Sequence, residues 1–114
     1  MKPVFFVAGV ALLVGLATAA KADVVLGPVT TITGLMQFSE FGGGDVAIKV
    51  AQSSTGCADG YWLRPSDPGF KTLYAQVLAS YVSKLPIQFY GFTTELWPGS
   101  PTGQFCRVYG ILPQ

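Results

Sequence analysis

The chain has 114 residues, seven basic and six acidic side chains, no histidine, and a formal net charge of +1. That balance offers no basic surface to neutralise phosphates, which argues against a nucleic-acid binder. Without histidine the commonest general base is missing, and two cysteines alone do not make a zinc ligand set, so no metal and no other cofactor is expected.

The N-terminus carries Lys2, an apolar run from Val4 to Leu16, and small residues ending in Ala20-Lys21-Ala22. This pattern predicts a secretory signal peptide over residues 1–22, cleaved before Asp23, with cleavage after Ala19 or Ala20 as the alternative. A retained membrane anchor is the rival reading. Its apolar core of about 13 residues falls short of the roughly 20 that span a bilayer. No membrane span is therefore expected, and the mature chain is read as secreted or periplasmic. Residues 23–114 make one small domain in which five basic face six acidic side chains. In an exported protein the pair Cys57 and Cys106 suggests a disulfide, with two free thiols as the alternative. Such a bridge would contribute about 4 kcal/mol on the loop-entropy argument.

Val29 to Phe41 reads as a long first strand, with Gly34 marking a bulge or bend. Gly42-Gly43-Gly44-Asp45 is a turn, and Val46 to Ala51 returns as an alternating second strand. Cys57 to Leu63 gives a short third strand. A helix follows: Asp67 is placed to cap it, Pro68 fits its first turn, and Phe70, Leu73, Tyr74, Val77, Leu78, Tyr81 and Val82 form its apolar stripe. The opposite face, with Lys71, Ala75, Ala79 and Ser83, is small or polar and suits close helix packing around a symmetry axis; a weakly charged solvated face is the plain alternative. Pro86 to Thr93 forms a fourth strand. The Trp97–Gly103 segment reads as a loop, and Gln104 to Leu112 as the last strand.

The element order is β-β-β-α-β-β, an all-β domain with one helix. It is the order of the OB-fold, a small five-stranded Greek-key barrel. An open α+β sheet with the helix on one face is the competing architecture.

Catalysis finds little support in these residues, and no enzyme is expected. Glu40 and Glu95 can be imagined as a glycosidase dyad, but two solvated carboxylates are the simpler account. The aromatic residues suit sugar rings, whose C–H faces stack while their hydroxyls need directed partners. Tyr74 and Tyr81 belong by spacing to the core. Trp97, in a Gly/Pro loop, is expected to be exposed and to serve recognition.

Several segments resemble the B subunits of subtilase cytotoxin and its pertussis-like and typhoid-like relatives. They are Cys57 with Gly60-Tyr61-Trp62, Pro68-Gly69-Phe70-Lys71-Thr72-Leu73-Tyr74, Leu85-Pro86-Ile87-Gln88-Phe89-Tyr90, Trp97, and Thr33-Gly34 with Met36-Gln37-Phe38. The resemblance implies an OB-fold that assembles as a ring-shaped homopentamer. The helices, with Lys71, Ala75, Ala79 and Ser83, would then face a central pore. It also implies a cell-surface glycan ligand and a possible separate catalytic A subunit. The implied glycan site comprises Thr33, Gln37, Gln52, Tyr90, Phe92 and Trp97. Thr33 matches a sugar-contacting serine of that family, and Gln52 falls near another pocket position. Gly91 stands where the family carries the second of two tyrosines, and Cys106 lies on the last strand rather than near the second. A non-toxin envelope or interaction protein without a sugar ligand is the alternative function.

Overall fold

The computed structural model describes residues 23–114, so the expected signal peptide at 1–22 lies outside the described residues. Six strands and one helix follow in chain order: β1 (Val24–Leu26), β2 (Ile32–Gln37), β3 (Val46–Val50), β4 (Gly60–Leu63), α1 (Phe70–Ser83), β5 (Ile87–Leu96) and β6 (Phe105–Pro113). They form one sheet in the order β1-β5-β6-β4-β3-β2. All pairings are antiparallel except β4 with β6, which is parallel. The molecule is thus mostly β with a single helix, as the sequence implies. Its sheet is open, with β1 and β2 at the edges. The segment joining those edges hydrogen-bonds both ways. Thr30 and Ile87 exchange two backbone bonds of 2.9 and 2.8 Å, and Ala51 N–H donates to Thr31 carbonyl at 3.0 Å.

The long first strand expected over Val29–Phe41 is shorter and is preceded by β1, which the sequence reading missed. Three residues, Val24-Val25-Leu26, are too few to show a period of their own. The register shift between Ile32 and Gly34 is the expected bulge. β4 begins at Gly60 rather than Cys57, because Asp59-Gly60 opens with turn geometry and Gly60 N–H bonds back to Cys57 carbonyl at 3.1 Å.

Alternation buries Ile32, Val46, Ile48, Tyr61, Leu63, Ile87, Phe89 and Val108 in one cluster, completed by Val77 from α1. Tyr61 stacks on Phe89 with ring centres 4.5 Å apart. A second cluster forms from Ala47, Trp62, Trp97 and Phe105, with Met36 packed against it. Since Ala47 lies between the core residues Val46 and Ile48, this cluster covers the other face of β3.

Two expectations for the helix fail. Asp67 does not cap it: Gly69 holds the N-cap position with no side-chain cap bond. The Asp67 carboxylate instead accepts from Arg64 at 2.8–2.9 Å and from Arg107 at 2.9 Å, two charged donors that outcompete neutral amides. The apolar stripe also drifts. Val77 and Ser80 are fully buried, whereas Val82 is 77% exposed. Ser80 fits the buried row because its hydroxyl accepts from Gln76 Nε2 at 3.0 Å. Lys71, Ala75, Ala79 and Ser83 are exposed together.

Cys57 and Cys106 form a disulfide with Cα atoms 5.3 Å apart. Gly91 packs against it: a Cβ there would lie 3.0 Å from Tyr61 Cε1 and 3.1 Å from Cys106 Cβ. The position faces inward, so no second tyrosine fits where the family resemblance would place one. Replacing both cysteines by serine should lower unfolding free energy by about 4 kcal/mol. Urea titration with and without the substitutions checks this, and a loss below about 1 kcal/mol contradicts the bridge's structural weight.

Candidate functional site

The site is organised around Asp45, which is 2% exposed. It closes the glycine turn that follows β2. Gly42, at φ +65°, leaves no Cβ in a space where one would lie 2.3–2.4 Å from the carboxylate. This is the positive-φ, close-approach position that requires glycine. Asp45 Oδ2 accepts the indole N–H of Trp97 at 2.9 Å, while Oδ1 is buried without a partner. A buried carboxylate with one donor fixes that donor firmly, because breaking the bond leaves an uncompensated charge. Trp97 is therefore 4% exposed. The expectation of an exposed recognition tryptophan is corrected: the loop folds back so that its indole reaches Asp45. Phe38, Phe41 and Phe105 surround that indole at centroid distances of 5.5, 6.1 and 5.6 Å.

Pinning Trp97 seats the β5–β6 loop opposite β2 and β3 and leaves an open cleft of about 800 Å³ between them. Its apolar lining includes Met36, Phe38, Trp97 and Phe105, and its polar groups are Thr33, Lys49, Asp59, Ser100 and Thr102. The volume lies within the range of small-molecule sites, about 300–1,000 Å³. The Asp59 carboxylate accepts Gln104 N–H at 2.7 Å and ties the loop's far end to the start of β4.

A second cleft of about 540 Å³ lies on the helix side of β2, lined by Thr31, Ile32, Thr33, Tyr81, Val82 and Lys84. Thr33 borders both clefts. Lys84 is the helix C-cap in the left-handed conformation, with φ 56°, and Leu85 N–H closes the helix end on Ser80 carbonyl at 3.0 Å.

On β5 and β6, Tyr90 and Phe92 pack edge-to-face against the exposed Tyr109, at 6.2 and 5.3 Å. Arg107 lies 4.3 Å over the Phe92 ring and binds the Glu95 carboxylate through two bonds of 3.0 and 2.9 Å. Hydrogen bonding to Arg107 holds the Glu95 pKa below its ordinary value. Partial burial opposes the charge of Arg107, but the bonds to Glu95 and Asp67 outweigh it and raise its pKa. The imagined Glu40/Glu95 dyad thus gives one member to a structural ion pair. Its shift runs opposite to the raised pKa that a general acid needs.

The six expected glycan residues do not converge. Thr33 and Trp97 meet at the first cleft. Gln37, at the end of β2, accepts the Tyr74 hydroxyl. Gln52 lies beyond β3, and its backbone N–H donates to Thr30 Oγ1 at 2.8 Å. Tyr90 and Phe92 belong to the Tyr109 group. Sequence reasoning missed Lys49, Asp59, Ser100 and Thr102. The polar alternation of β3 marks Lys49, and the Ser/Thr content of the loop marks the other side.

The chain matches no protein-family model, no characterised protein and no solved structure. Among the described residues no helix is long and apolar enough to cross a membrane, and no group of ligating side chains could hold a metal ion.

Trp97→Phe should cost about 2–3 kcal/mol in urea unfolding, since it strands the Asp45 carboxylate. Asp45→Asn, which keeps an acceptor for Trp97 but sets a buried amide N–H2 where Oδ1 has no partner, should cost about 1 kcal/mol. Equal losses would contradict the assigned roles. Because the folded Glu95 pKa is depressed, its contribution is present in full above the ordinary glutamate value near 4.3 and disappears as pH falls below it. Urea midpoints measured from pH 7 down to pH 3 should fall less steeply for Glu95→Gln than for the native chain; identical slopes would remove Glu95 from the account.

Proposed function

We propose that the chain is a secreted or periplasmic glycan-binding protein that takes its ligand in the cleft between β2, β3 and the β5–β6 loop. The observation that carries this reading is the cleft's lining: an apolar side fixed by the Asp45–Trp97 bond beneath hydroxyls and charges from Thr33, Lys49, Asp59, Ser100 and Thr102. Sugars need such a combination of apolar surface and directed polar groups.

The fold reading goes further than an open sheet. We take β1 and β2 as two parts of one bent strand whose Thr30–Thr31 link closes the sheet into an OB-fold barrel. The paired bonds of Thr30 to Ile87 and of Thr31 to Ala51 support closure, and the parallel β4–β6 pairing supports the Greek-key path. The resemblance to the subtilase cytotoxin B subunits then favours a ring-shaped homopentamer with α1 on the pore, with or without a separate A subunit. The exposed row of Lys71, Ala75, Ala79 and Ser83 fits that placement. A second reading, a protein-interaction or structural role, is favoured by exposed apolar side chains at the end of α1, where Val82 is 77% and Leu85 52% exposed.

A glycan array on the mature protein should give saccharide signals that Thr33→Val and Ser100→Ala each weaken about 5- to 10-fold, the worth of one hydrogen bond. Absence of any saccharide signal at millimolar sensitivity, together with co-purification of a protein partner, would establish the second reading instead. Ala79→Glu should place like charges near the ring axis and shift sedimentation from pentamer to monomer; unchanged sedimentation discards the pore arrangement.

A further inference from the structure

We propose that the saccharide is linear and anionic, laid across β2 at Thr33 with one acidic group at Lys49 and the next at Lys84. The inference rests on the glycan reading above and names the class of sugar. Its basis is that the two clefts share Thr33 and that each holds one lysine. A chain longer than one sugar ring, entering the first cleft, therefore meets the second across a single strand.

The distribution of positive charge supports an acidic ligand. Arg64 and Arg107 are occupied by Asp67 and Glu95. Lys49 and Lys84 form no ion pair among the described residues, and both are exposed. The remaining lysine of residues 23–114, Lys71, lines neither cleft. So the cations left unengaged beside the candidate site are the two that face its ligand. Gly34 pairs with Lys49 across β2 and β3 and leaves room beside the lysine stem, whose Cβ and Cδ lie 3.9 Å from where a side chain at 34 would begin. The second cleft contains no carboxylate, and the one in the first, Asp59, already accepts Gln104 N–H. Thr31 and Thr33 hydroxyls and the Tyr81 ring complete the second subsite with the mixed apolar and hydroxyl chemistry that a sugar ring needs.

Two sources supply such an acidic group: the carboxylate of a uronic acid and a sulfate ester. Isothermal titration of the mature protein distinguishes these sources, using a tetragalacturonate, a heparin-derived tetrasaccharide, neutral cellotetraose and a short oligothymidylate. We expect one or both acidic tetrasaccharides to bind at least 10-fold more tightly than cellotetraose. Lys49→Gln and Lys84→Gln should each weaken that binding about 3- to 5-fold, the scale of an exposed ion pair, and the double variant more than either. The tighter of the two acidic ligands identifies the acid group. Cellotetraose binding as tightly, with both lysine variants silent, overturns the anionic assignment and leaves the glycan reading standing. Oligothymidylate binding as tightly as the sugars reduces the site to charge attraction and overturns the assignment too. Failure of every saccharide to bind overturns both.

Discussion

The structure depends on the parallel pairing of β4 with β6. One half of the sheet, β2-β3-β4, is a local meander; the other, β1-β5-β6, is built from the chain's first and last described segments. Within the sheet ladder they join through Gly60–Trp62 and Phe105–Arg107, which run side by side; the Thr30–Ile87 bridge is the further backbone tie between them. Parallel neighbours demand a long crossover, and here the crossover contains α1 and β5. The seam is reinforced throughout its length. Cys57–Cys106 fastens one end, Asp59 and Gln104 bind each other twice at the same end, and Trp62 Nε1–H donates to Glu95 carbonyl at 3.0 Å. Arg107, at the seam's other end, gathers Asp67 and Glu95. The capping role that the sequence suggests for Asp67 is given up for this tie.

The first cleft lies across that seam. Thr33 and Lys49 come from one half, and Ser100 and Thr102 from the loop of the other. Its shape therefore follows from how the halves meet, and the buried Asp45–Trp97 bond sets the distance between its walls. Preorganisation of this kind lowers the ordering cost of binding a flexible ligand such as the proposed saccharide. It also explains why Trp97 matters to the site while being almost wholly buried: it positions the lining instead of presenting a free stacking face.

Local pattern made the strands β2 to β6 and the helix legible, because alternation and helical spacing are short-range signals. The bulge at Gly34 was legible from a lone glycine among β-formers, and the disulfide, which joins residues 49 apart, from the count of two cysteines. β1 was not, being three residues long. Asp67 was misplaced because an N-terminal Asp-Pro-Gly reads the same whether its carboxylate caps amides or meets arginines distant in sequence. Trp97 was misplaced because a Gly/Pro loop predicts surface only until a buried acceptor, Asp45, is brought to it by the fold. Gln37, Gln52, Tyr90 and Phe92 depended on a resemblance in sequence position, which carries no information on convergence in space. Lys49 and Lys84 become neighbours of one strand only once β2 is seen to separate two clefts.

The central claim, that a ligand site is made by the two sheet halves together, is tested most directly by amide chemical shifts of the labelled protein, residues 23–114. The titrant is whichever saccharide binds it best. The account predicts that amides of Thr33 and Lys49 move along with those of Ser100 and Thr102, at a common midpoint. Shifts limited to one half, or centred on Tyr90, Phe92 and Tyr109, would contradict it.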